Sequence, residues 1–360
     1  MSKILYVASN MRHINNFHLP YINRLREDGH TVKIMSKGNG ASYDVPFVKR
    51  MLSVKNLFLQ MKIRKIIKKE KFDFVILNTT LAAFHVRMAL PKKNRPKVLN
   101  IVHGYLFSEA DKSLKAKVLL FCERLLRKKT DAIAVMNAED VRIAEKNKLC
   151  LGDVIMTSGM GATVAEAKFD REYIRRYTDT EGKFLLCFVG ELSERKNQRF
   201  LICALPEIKL SVPNVVLALV GEGVEEGHLR TLADKIGVSD SVCFIGQKSN
   251  PCDFMRAADL YVSASKIEGM PFNLIEALGC GVPILASDTK GHVDLIEDGE
   301  DGYLYERECI ADFVAKVKGF ALGDATVDTE HQEAKCKTYS FEQVFPKTYS
   351  VMRDFCNEEN

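Results

Sequence analysis

Short runs of apolar, mostly β-branched residues alternate with longer amphipathic stretches along the whole chain. Apolar runs of four to eight residues that are separated by helices are typical of parallel strands covered on both faces. The pattern predicts an α/β fold of two doubly wound, Rossmann-like domains with a cleft between them. The predicted strands are Ile4–Ala8, Thr31–Ser36, Phe72–Asn78, Lys97–His103 and Asp131–Met136 in the first half, and Phe184–Val189, Val215–Val220, Val242–Ile245, Leu260–Ala264 and Pro283–Ala286 in the second.

The length of 360 residues agrees with two domains at about 150 residues each. Glycines loosen the backbone around 159–167, and the sign of the net charge changes there. We therefore predict a first domain at 1–163 and a second at 164–338. Residues 339–360 carry apolar side chains at helical spacing between Phe341 and Met352. This pattern predicts a terminal helix that crosses back to the first domain.

The overall charge of +5 hides two oppositely charged halves. Residues 1–160 hold 30 Lys/Arg and 13 Asp/Glu, a net +17, and the remainder holds 22 and 34, a net −12. Such a basic half favours a polyanion or an anionic membrane surface as partner. Within it, the stretch Leu59–Lys71 predicts a helix with an apolar stripe towards the sheet and lysines outward. That helix either contacts a membrane or is simply solvated.

Several classes of protein and site are excluded by what the sequence lacks. No apolar run approaches the ~18–20 residues that span a bilayer, and Met1–Ser9 reads as a strand, not a secretion signal. The ten cysteines form no Cys-x-x-Cys pair, which predicts reduced thiols in a cytoplasmic protein. There is no P-loop, no Asp-x-Asp triplet and no metal-like spacing of histidines, so we expect no metal and no cofactor.

The most informative stretch is Glu268–Pro283, which begins just after one predicted strand and runs into the next. Gly269 and Pro271 mark a tight turn into a helix, with Pro271 suited to its first turn. Backbone N–H groups at such a turn can seat a phosphate. Glu268 and Glu276 flank the helix start, so a nucleotide-sugar fits, with its diphosphate on the N–H groups and its hydroxyls on the carboxylates. The alternative is a capped helix with two unrelated surface glutamates.

Two further stretches place polar groups at the ends of predicted strands. Phe188–Asn197 brings the adjacent cations Arg195 and Lys196 after a strand, where they can bind phosphate oxygens. Asn100–Tyr105 puts His103 at the carboxyl end of a strand, where doubly wound sheets bind ligands. Taken singly, a basic pair in a loop is usually solvated, and one histidine at a strand end is a modest indication.

Together these residues resemble the retaining glycosyltransferases of family 4, which have the GT-B fold. The pair Glu268 and Glu276 is similar to the family's Glu-x7-Glu motif, and Val189–Asn197 to its phosphate-binding loop. Three further segments are typical of the family, namely Leu219–Gly223, Phe244–Gly246 and Gly281–Ala286. Segments of the first half are similar to bacterial members that build capsule, exopolysaccharide or lipid-linked oligosaccharides, namely Val102–Tyr105, Glu123, Thr130–Asp131 and Asn137–Asp140.

The resemblance implies transfer of a sugar, with retention, from a nucleotide-sugar donor to a lipid-linked sugar or glycan acceptor. A uridine diphosphate sugar is the commonest donor, and the reaction would take place at the cytoplasmic face of an anionic membrane. Arg195 and Lys196 would bind the diphosphate, Glu276 the ribose, and the catalytic residues His103 and Glu268 would act at the transferred sugar. The other implied donor-binding residues are Gly190, Gly246, Gly269, Met270, Pro271, Phe272, Asn273 and Leu274.

The chain departs from the family at two loops. Many relatives have arginine where this chain has Glu191, so Arg195 would be the substitute phosphate contact. The first loop is polar where relatives are rich in glycine, which implies a distinct acceptor. Its predicted acceptor-binding residues are Asn10, His13, Asn16 and Phe17.

Two other functions stay open on the sequence. The basic half would suit a non-enzymatic module that binds nucleic acid or another polyanion. However, we find no basic motif interleaved with aromatic residues and no nucleic-acid-binding fold, so no nucleic-acid partner is expected. The second alternative is a nucleotide-sugar epimerase of similar build, which product analysis with and without acceptor would distinguish.

Overall fold

The computed structural model describes residues 1–48 and 53–357, so the last three residues of the predicted 339–360 segment lie outside it. The chain divides into two compact units. The first is Met1–Gly161 together with the chain from Phe341 onwards, and the second is Ala162–Ser340. Each unit is built on its own parallel sheet.

The described part of the first unit contains a seven-stranded parallel sheet with the order β3-β2-β1-β4-β5-β6-β7. Its strands are β1 (Lys3–Asn10), β2 (Thr31–Lys37), β3 (Tyr43–Asp44), β4 (Phe74–Asn78), β5 (Lys97–Ile101), β6 (Ala132–Val135) and β7 (Val154–Met156). The connecting α-helices are α1 (Met11–His13), α2 (Leu19–Glu27), α3 (Val54–Glu70), α4 (Thr80–Ala89), α5 (Leu114–Leu126) and α6 (Ala138–Lys146). A π-helix at Ile14–His18 joins α1 to α2, and a 3-10 helix lies at Arg127–Lys129.

The second unit repeats the same arrangement, with six parallel strands in the order β10-β9-β8-β11-β12-β13. The strands are β8 (Phe184–Val189), β9 (Val215–Val220), β10 (Val242–Gly246), β11 (Leu260–Ser263), β12 (Ile284–Ser287) and β13 (Tyr303–Tyr305). The helices are α7 (Arg171–Tyr177), α8 (Gln198–Ser211), α9 (Glu226–Lys235), α10 (Cys252–Ala257), α11 (Phe272–Gly279), α12 (Ile310–Leu322) and α13 (Thr329–Thr338), with a 3-10 helix at Ser239–Ser241. The C-terminal helix α14 (Phe341–Asn357) belongs to the first unit.

The burial of the strands is that of parallel sheets covered by helices on both faces. Residues Ile4–Ala8 of β1 and Phe74–Asn78 of β4 are buried throughout, because helices cover both faces of the sheet. On α3, Ile63 and Ile67 are buried in the core, as its periodicity predicts. The lysines Lys62, Lys65, Lys68 and Lys69 are exposed. Helix α6 is capped by Asn137, whose side chain accepts a hydrogen bond from the Asp140 N–H at 2.8 Å.

The predicted α/β class with two doubly wound sheets is confirmed, and every predicted strand is present. The sequence pattern misses β3, β7 and β13, which have only two or three residues. Each lies at a sheet edge and is partly exposed, so none shows a continuous apolar run. The largest errors in the strand ends are two residues, as where β5 ends at Ile101 rather than His103 and β4 starts at Phe74 rather than Phe72.

The strand order reverses direction at one point in each sheet, between β1 and β4 and between β8 and β11. In doubly wound sheets, ligands bind beyond the carboxyl ends of the strands at this switch point. The loops that follow these strands are therefore the places to look for a site. Within residues 1–48 and 53–357, no helix is both long and apolar enough to cross a bilayer.

Candidate functional site

The switch point of the second unit brings together two stretches that lie far apart in the sequence. The loop after β8 carries Arg195 and Lys196, and the loop after β11 carries Glu268. A backbone hydrogen bond of 2.9 Å from the Lys266 N–H to the Arg195 carbonyl joins the two loops. The three charged side chains meet above the sheet because β8 and β11 are neighbouring parallel strands.

Glu268 forms an ion pair with each of the two cations. Its Oε1 lies 2.7 Å from Lys196 Nζ, and its Oε2 lies 2.6 Å from Arg195 Nη1. Arg195 also donates to the Ile267 carbonyl at 3.3 Å. Glu268 and Lys196 are both 8% exposed, so solvent screens their attraction little. We call these three residues the charged triad.

Burial by itself would raise the pKa of Glu268, but Lys196 and Arg195 outweigh it and hold the pKa at about 2. The carboxylate is therefore ionised at neutral pH, and the charged triad carries one net positive charge. A diphosphate can accept hydrogen bonds from the same two cations. The predicted phosphate-binding pair is thus not free but is held in place by Glu268.

Two glycines shape the loop that carries the cations. A Cβ on Gly221 would lie 2.0 Å from the Gly190 carbonyl oxygen, and a Cβ on Gly223 would lie 2.0 Å from the Leu192 carbonyl oxygen. The Gly190 N–H donates to Val220 at 2.9 Å, as β8 and β9 end side by side. Gly190 is therefore placed at the site by close backbone packing against the end of β9.

The next strand end along this edge also joins the site loops. The Gly221 N–H donates to the carbonyl of Gly246 at 2.9 Å. Gly246 has φ of +73°, a left-handed conformation that favours glycine. The stretch Leu219–Gly223 thus packs against the loop after β8.

Helix α11 begins one residue later than the sequence suggests. Pro271 is its N-cap and lies just before the first turn, with φ of −82° and ψ of 85°. Two backbone donors that were expected to be open bond locally, with Phe272 N–H to Met270 at 3.1 Å and Leu274 N–H to Pro271 at 2.9 Å. The tight turn that starts with Gly269 closes on itself, which leaves fewer donors for a phosphate than the sequence predicts.

The side chain of Asn273, a predicted donor-binding residue, is hydrogen-bonded within the protein. Its side-chain amide donates to the Tyr261 hydroxyl at 2.7 Å and to the Val189 carbonyl at 3.2 Å. These bonds tie the first turn of α11 to the end of β8 and to β11. Asn273 therefore orients the helix start towards the charged triad.

Glu276 lies on the second turn of α11 and is partly buried. Burial raises the pKa of its carboxyl to about 7, with Cys252 adding to the rise and Lys196 opposing it. The group is therefore poised between its two protonation states at neutral pH. Hydrogen bonds from sugar hydroxyls would favour the ionised form.

A buried histidine near the charged triad was missed by the sequence reasoning. His292 follows β12, and its Nδ1 lies 2.9 Å from the Ser287 carbonyl oxygen. Burial lowers the pKa of His292 to about 4, so the ring is neutral and donates from Nδ1. A Cβ on the preceding Gly291 would lie 2.9 Å from Glu268 Cβ, so that turn packs directly on the triad. Its position after a parallel strand was the available signal.

The remaining predicted residues belong to the first unit, where they lie after β1 and β5. The Asn10 side chain caps α1 by accepting from the His13 N–H at 2.9 Å. The His13 ring lies 5.2 Å from the Phe17 ring and 5.1 Å from the His103 ring, centroid to centroid. Asn16 is exposed on the π-helix.

The histidines show no metal-like spacing along the chain, but three of them approach one another in the fold. His13, His18 and His103 come together, with their candidate ligand atoms within 4.8 Å of one another. His18 was not singled out from the sequence at all. A separation of 85 residues along the chain hides the approach of His18 and His103, which the fold produces.

Comparisons with known proteins match both units. The family model described as Glycosyl transferases group 1 matches residues 170–336, and the one described as Glycosyltransferase Family 4 matches residues 21–147. A Bacillus subtilis (strain 168) protein named as the glycosyltransferase EpsD is 28% identical over 329 residues, which is 88% of this chain and 86% of that protein. An Escherichia coli enzyme, UDP-Gal:alpha-D-GlcNAc-diphosphoundecaprenol alpha-1,3-galactosyltransferase, is 24% identical over 283 residues, or 76% of this chain and 73% of that enzyme.

Solved structures agree with these matches at the level of the fold. Anabaena Alr3699/HepE, in a complex with UDP and glucose, superimposes with a TM-score of 0.76 at 17% sequence identity. The alignment covers 98% of this chain and 100% of that one. The similarity of fold therefore extends over both units.

Proposed function

Since this chain belongs to the family 4 glycosyltransferases, which have the GT-B fold, we propose that it transfers a sugar, with retention of configuration, from a nucleotide-sugar donor. The observation that carries this proposal is the charged triad of Arg195, Lys196 and Glu268 at the switch point of the second sheet. The two alternatives, a polyanion-binding module and an epimerase, are not favoured, because the family matches are to transferases.

In this proposal the cations of the charged triad bind the donor diphosphate. As the bond between the sugar and the diphosphate breaks, negative charge grows on the leaving group. Arg195, Lys196 and the start of α11 stabilise that charge more in the transition state than in the ground state. Glu268 then lies beside the transferred sugar, and Glu276 accepts hydrogen bonds from the ribose.

The donor we propose is a uridine diphosphate sugar. The E. coli relative is named for UDP-Gal, and the structural neighbour from Anabaena was solved with UDP and glucose. No group of three or more potential metal ligands in the described residues includes a member of the charged triad or Glu276. We therefore expect donor binding to need no divalent metal, and EDTA should leave the dissociation constant of UDP unchanged.

The acceptor we propose is a lipid-linked sugar or glycan of the bacterial surface. The name of the E. coli relative includes a diphosphoundecaprenol-linked sugar. In the first unit, the predicted acceptor residues lie at the end of β1 (Asn10) and just after it (His13, Asn16 and Phe17). His103 lies after β5. These are strand ends at the edge where a doubly wound sheet binds its ligand. His103 is the residue we propose as catalytic in this unit.

The decisive experiment measures donor binding and transfer in matched variants. Lys196→Ala and Glu276→Ala should each lower turnover severely, by about 10²–10³-fold for the cation. Arg199→Ala is the control, because Arg199 is an exposed cation on the first turn of α8 and belongs to neither ion pair of the triad. Isothermal titration with UDP and NMR of the anomeric proton of the product give affinity and stereochemistry. Near-normal transfer by both variants would refute the site, and an inverted product would refute retention.

A basic, partly apolar face of the first unit supports contact with a membrane. Helix α5 exposes four large apolar side chains at helical spacing, and their exposed fractions range from 45% to 78%. These residues are Leu114, Val118, Phe121 and Leu125. Exposed cations flank the stripe, namely Lys112, Lys115, Lys117, Arg124, Arg127 and Lys128. An exposed apolar stripe bordered by cations is typical of helices that lie in a bilayer interface.

The opposite face of α5 is fixed to the fold. Glu123 receives two hydrogen bonds from the buried Arg87 of α4, at 2.8 and 2.9 Å. Helix α4 also packs against α3, whose exposed Phe58 and Met61 lie among lysines. We propose that these helices dock on an anionic leaflet, where each Lys or Arg contributes about 1 kcal/mol. The enzyme would then work as a peripheral protein at the cytoplasmic face, where its proposed acceptor lies.

Sedimentation with vesicles tests the membrane proposal. The wild-type chain should bind vesicles of phosphatidylglycerol and phosphatidylcholine, and binding should weaken in high salt and on pure phosphatidylcholine. Phe121→Glu should reduce binding at least tenfold. Leu210→Glu is the control, because Leu210 is 85% exposed but lies on α8 of the second unit. Equal binding by both variants, or binding independent of anionic lipid, would contradict the proposal.

A further inference from the structure

Three histidine rings of the first unit form a compact group, which we call the histidine cluster. The ring centroids of His13 and His18 lie 4.8 Å apart, and the His103 ring lies 5.1 Å and 5.2 Å from them. One ring nitrogen of each residue lies within 4.8 Å of the others. All three residues lie at the carboxyl edge of the first sheet, after β1 and β5.

The π-helix explains how two of these rings come to share one space. His13 and His18 are five residues apart, and on a regular α-helix such a pair would point about 140° apart. The Leu19 N–H instead bonds to the Ile14 carbonyl, five residues back, which widens the turn. Residues five apart then lie nearly one turn apart on the same side. Short π-helical segments of this kind are frequent at functional sites.

The environment of the cluster leaves ring nitrogens available for a ligand. The Nε2 atoms of His13 and His18 are buried, and neither finds a hydrogen-bond partner among the described residues. His18 is wholly buried, and a buried polar atom without a partner costs the free energy of removing it from water. A bound group that accepts these two lone pairs would remove that cost.

The other nitrogen of two of the rings has a partner that orients it. The Tyr6 hydroxyl lies 2.9 Å from His18 Nδ1, and Asn78 Oδ1 lies 3.4 Å from His103 Nε2. The Asn78 amide nitrogen donates to Val7, which leaves its oxygen facing His103 as an acceptor. Histidines that bind metals in proteins almost always have their second nitrogen held by such a neighbour.

The charge of the cluster favours a cation over an anion. All three members of the group are imidazole rings, and His18 is wholly buried. Neutral imidazoles offer lone pairs but no positive charge, so a phosphate gains little from them. No carboxylate is a member of the group, and Mg²⁺ or Ca²⁺ prefers oxygen ligands. Imidazole nitrogen suits zinc and its neighbours in the first transition row.

We propose that the histidine cluster binds one divalent transition-metal ion of the zinc class through one nitrogen each of His13, His18 and His103. Three protein ligands leave a fourth position open for water or an oxygen of a bound molecule, as in catalytic rather than structural zinc sites. Zinc–nitrogen bonds of about 2.0–2.1 Å need ligand atoms roughly 3.4 Å apart, so the rings close in slightly. The proposal rests on the proposed function in one respect: His13 and His103, proposed there for the acceptor and for catalysis, would act by holding the ion, whose open position faces a bound oxygen. The donor site, with the charged triad, lies in the other unit.

Another group of potential ligands serves as the comparison. Glu297, Asp301 and His331 of the second unit also lie within reach of one another. There, however, Lys335 forms ion pairs with both carboxylates and already supplies the positive charge. We therefore expect no metal to compete with Lys335 at that group.

Cobalt is the probe for the test, because Co²⁺ bound to nitrogen ligands absorbs visible light and thiolate ligands add a separate near-ultraviolet band. The full chain, freed of metal with EDTA and dialysed, is titrated with Co²⁺ and then with Zn²⁺. We expect one visible-absorbing Co²⁺ per chain, no thiolate band from the ten cysteines, and displacement by Zn²⁺. Binding of UDP is measured in parallel in EDTA, so a failed metal site and a failed donor site are told apart.

Variants identify the ligands. His13→Gln, at the half-buried ring, and His18→Gln should each abolish the visible band, and Tyr6→Phe should weaken Co²⁺ binding by about 10–100-fold. His85→Gln, at another buried histidine of the same unit, and His331→Gln, in the comparison group, should leave it unchanged. Circular dichroism and thermal melting confirm folding, and Tyr6→Phe covers the case in which a histidine variant does not fold. No band at one equivalent, a thiolate band, or a band lost only in His331→Gln would overturn the proposal.

Discussion

Replacing Glu268 by glutamine removes the one negative charge of the charged triad while keeping the size of the side chain. The pKa of Glu268 lies at about 2 in the folded chain, against an ordinary 4.5. Each step of one in pKa corresponds to about 1.4 kcal/mol. The ionised carboxylate therefore stabilises the folded chain by about 3 kcal/mol at neutral pH. Because the side chain is 7% exposed, solvent screening does not reduce this figure much.

The lowered pKa of Glu268 also predicts how its stabilisation of the folded chain changes with pH. A lowered pKa stabilises the folded chain fully above about pH 4.5, and the stabilisation is lost as the pH falls towards 2. Glu268→Gln should therefore lower the free energy of unfolding by about 3 kcal/mol at pH 7. The difference from wild type should shrink by about 1.4 kcal/mol at pH 3.5. Urea unfolding at the two pH values, followed by circular dichroism, measures both quantities.

The same substitution also changes nucleotide binding. In the wild type, a diphosphate competes with the Glu268 carboxylate for Arg195 and Lys196. Glu268→Gln should thus bind UDP about tenfold more tightly, or about 1.4 kcal/mol, while sugar transfer falls. The control is Glu194→Gln in the same loop, because the Glu194 side chain is 90% exposed. Equal stability of Glu268→Gln and wild type at pH 7, or an equal loss in the control, would refute the reasoning.

Three further predictions concern other groups. The Glu276 carboxyl, with its pKa of about 7, should release about half a proton when UDP binds at pH 7. Calorimetry in two buffers of different ionisation enthalpy detects this release. No release would contradict a ribose contact. Gly223→Ala should destabilise the second unit and weaken UDP binding, because its Cβ would lie 2.0 Å from a backbone oxygen. The control Gly227→Ala has open space around its Cβ and should have neither effect. Thermal melting with and without UDP compares the two variants. Arg87→Met should lower the free energy of unfolding by about 3–5 kcal/mol, because it leaves Glu123 buried and unpaired. The double variant Arg87→Met/Glu123→Leu should recover most of that loss. Urea unfolding measures both variants.

The sequence predicts the two sheets well because the relevant signal is local. A buried parallel strand is an unbroken apolar run, and β8 and β9 are read directly from six consecutive residues each. An edge strand such as β13 lacks this signal, since one of its faces is open and it has three residues. Its pairing with β12 supplies the stability that its own residues do not indicate.

The sequence brings the three residues of the charged triad into one predicted site, but it does not show their contacts. Arg195 and Glu268 are identified by the motifs in which they lie, yet they are 73 residues apart in the chain. Their ion pair exists because β8 and β11 are neighbours in the sheet. His292 was missed, since nothing in its own segment shows that it packs beside Glu268.

The histidine cluster shows most clearly which contacts cannot be predicted from the sequence. Spacing along the chain gives no hint that His18 and His103 approach each other, and the π-helix that turns His18 towards His13 depends on the packing of α1 and α2 after β1. The sequence by itself determined which segments form strands and helices, and how charge divides between the halves, because propensity and burial pattern depend on near neighbours. Only the tertiary structure decided which ionisable groups face each other and in which protonation state, because Coulomb energy and desolvation depend on distance through space.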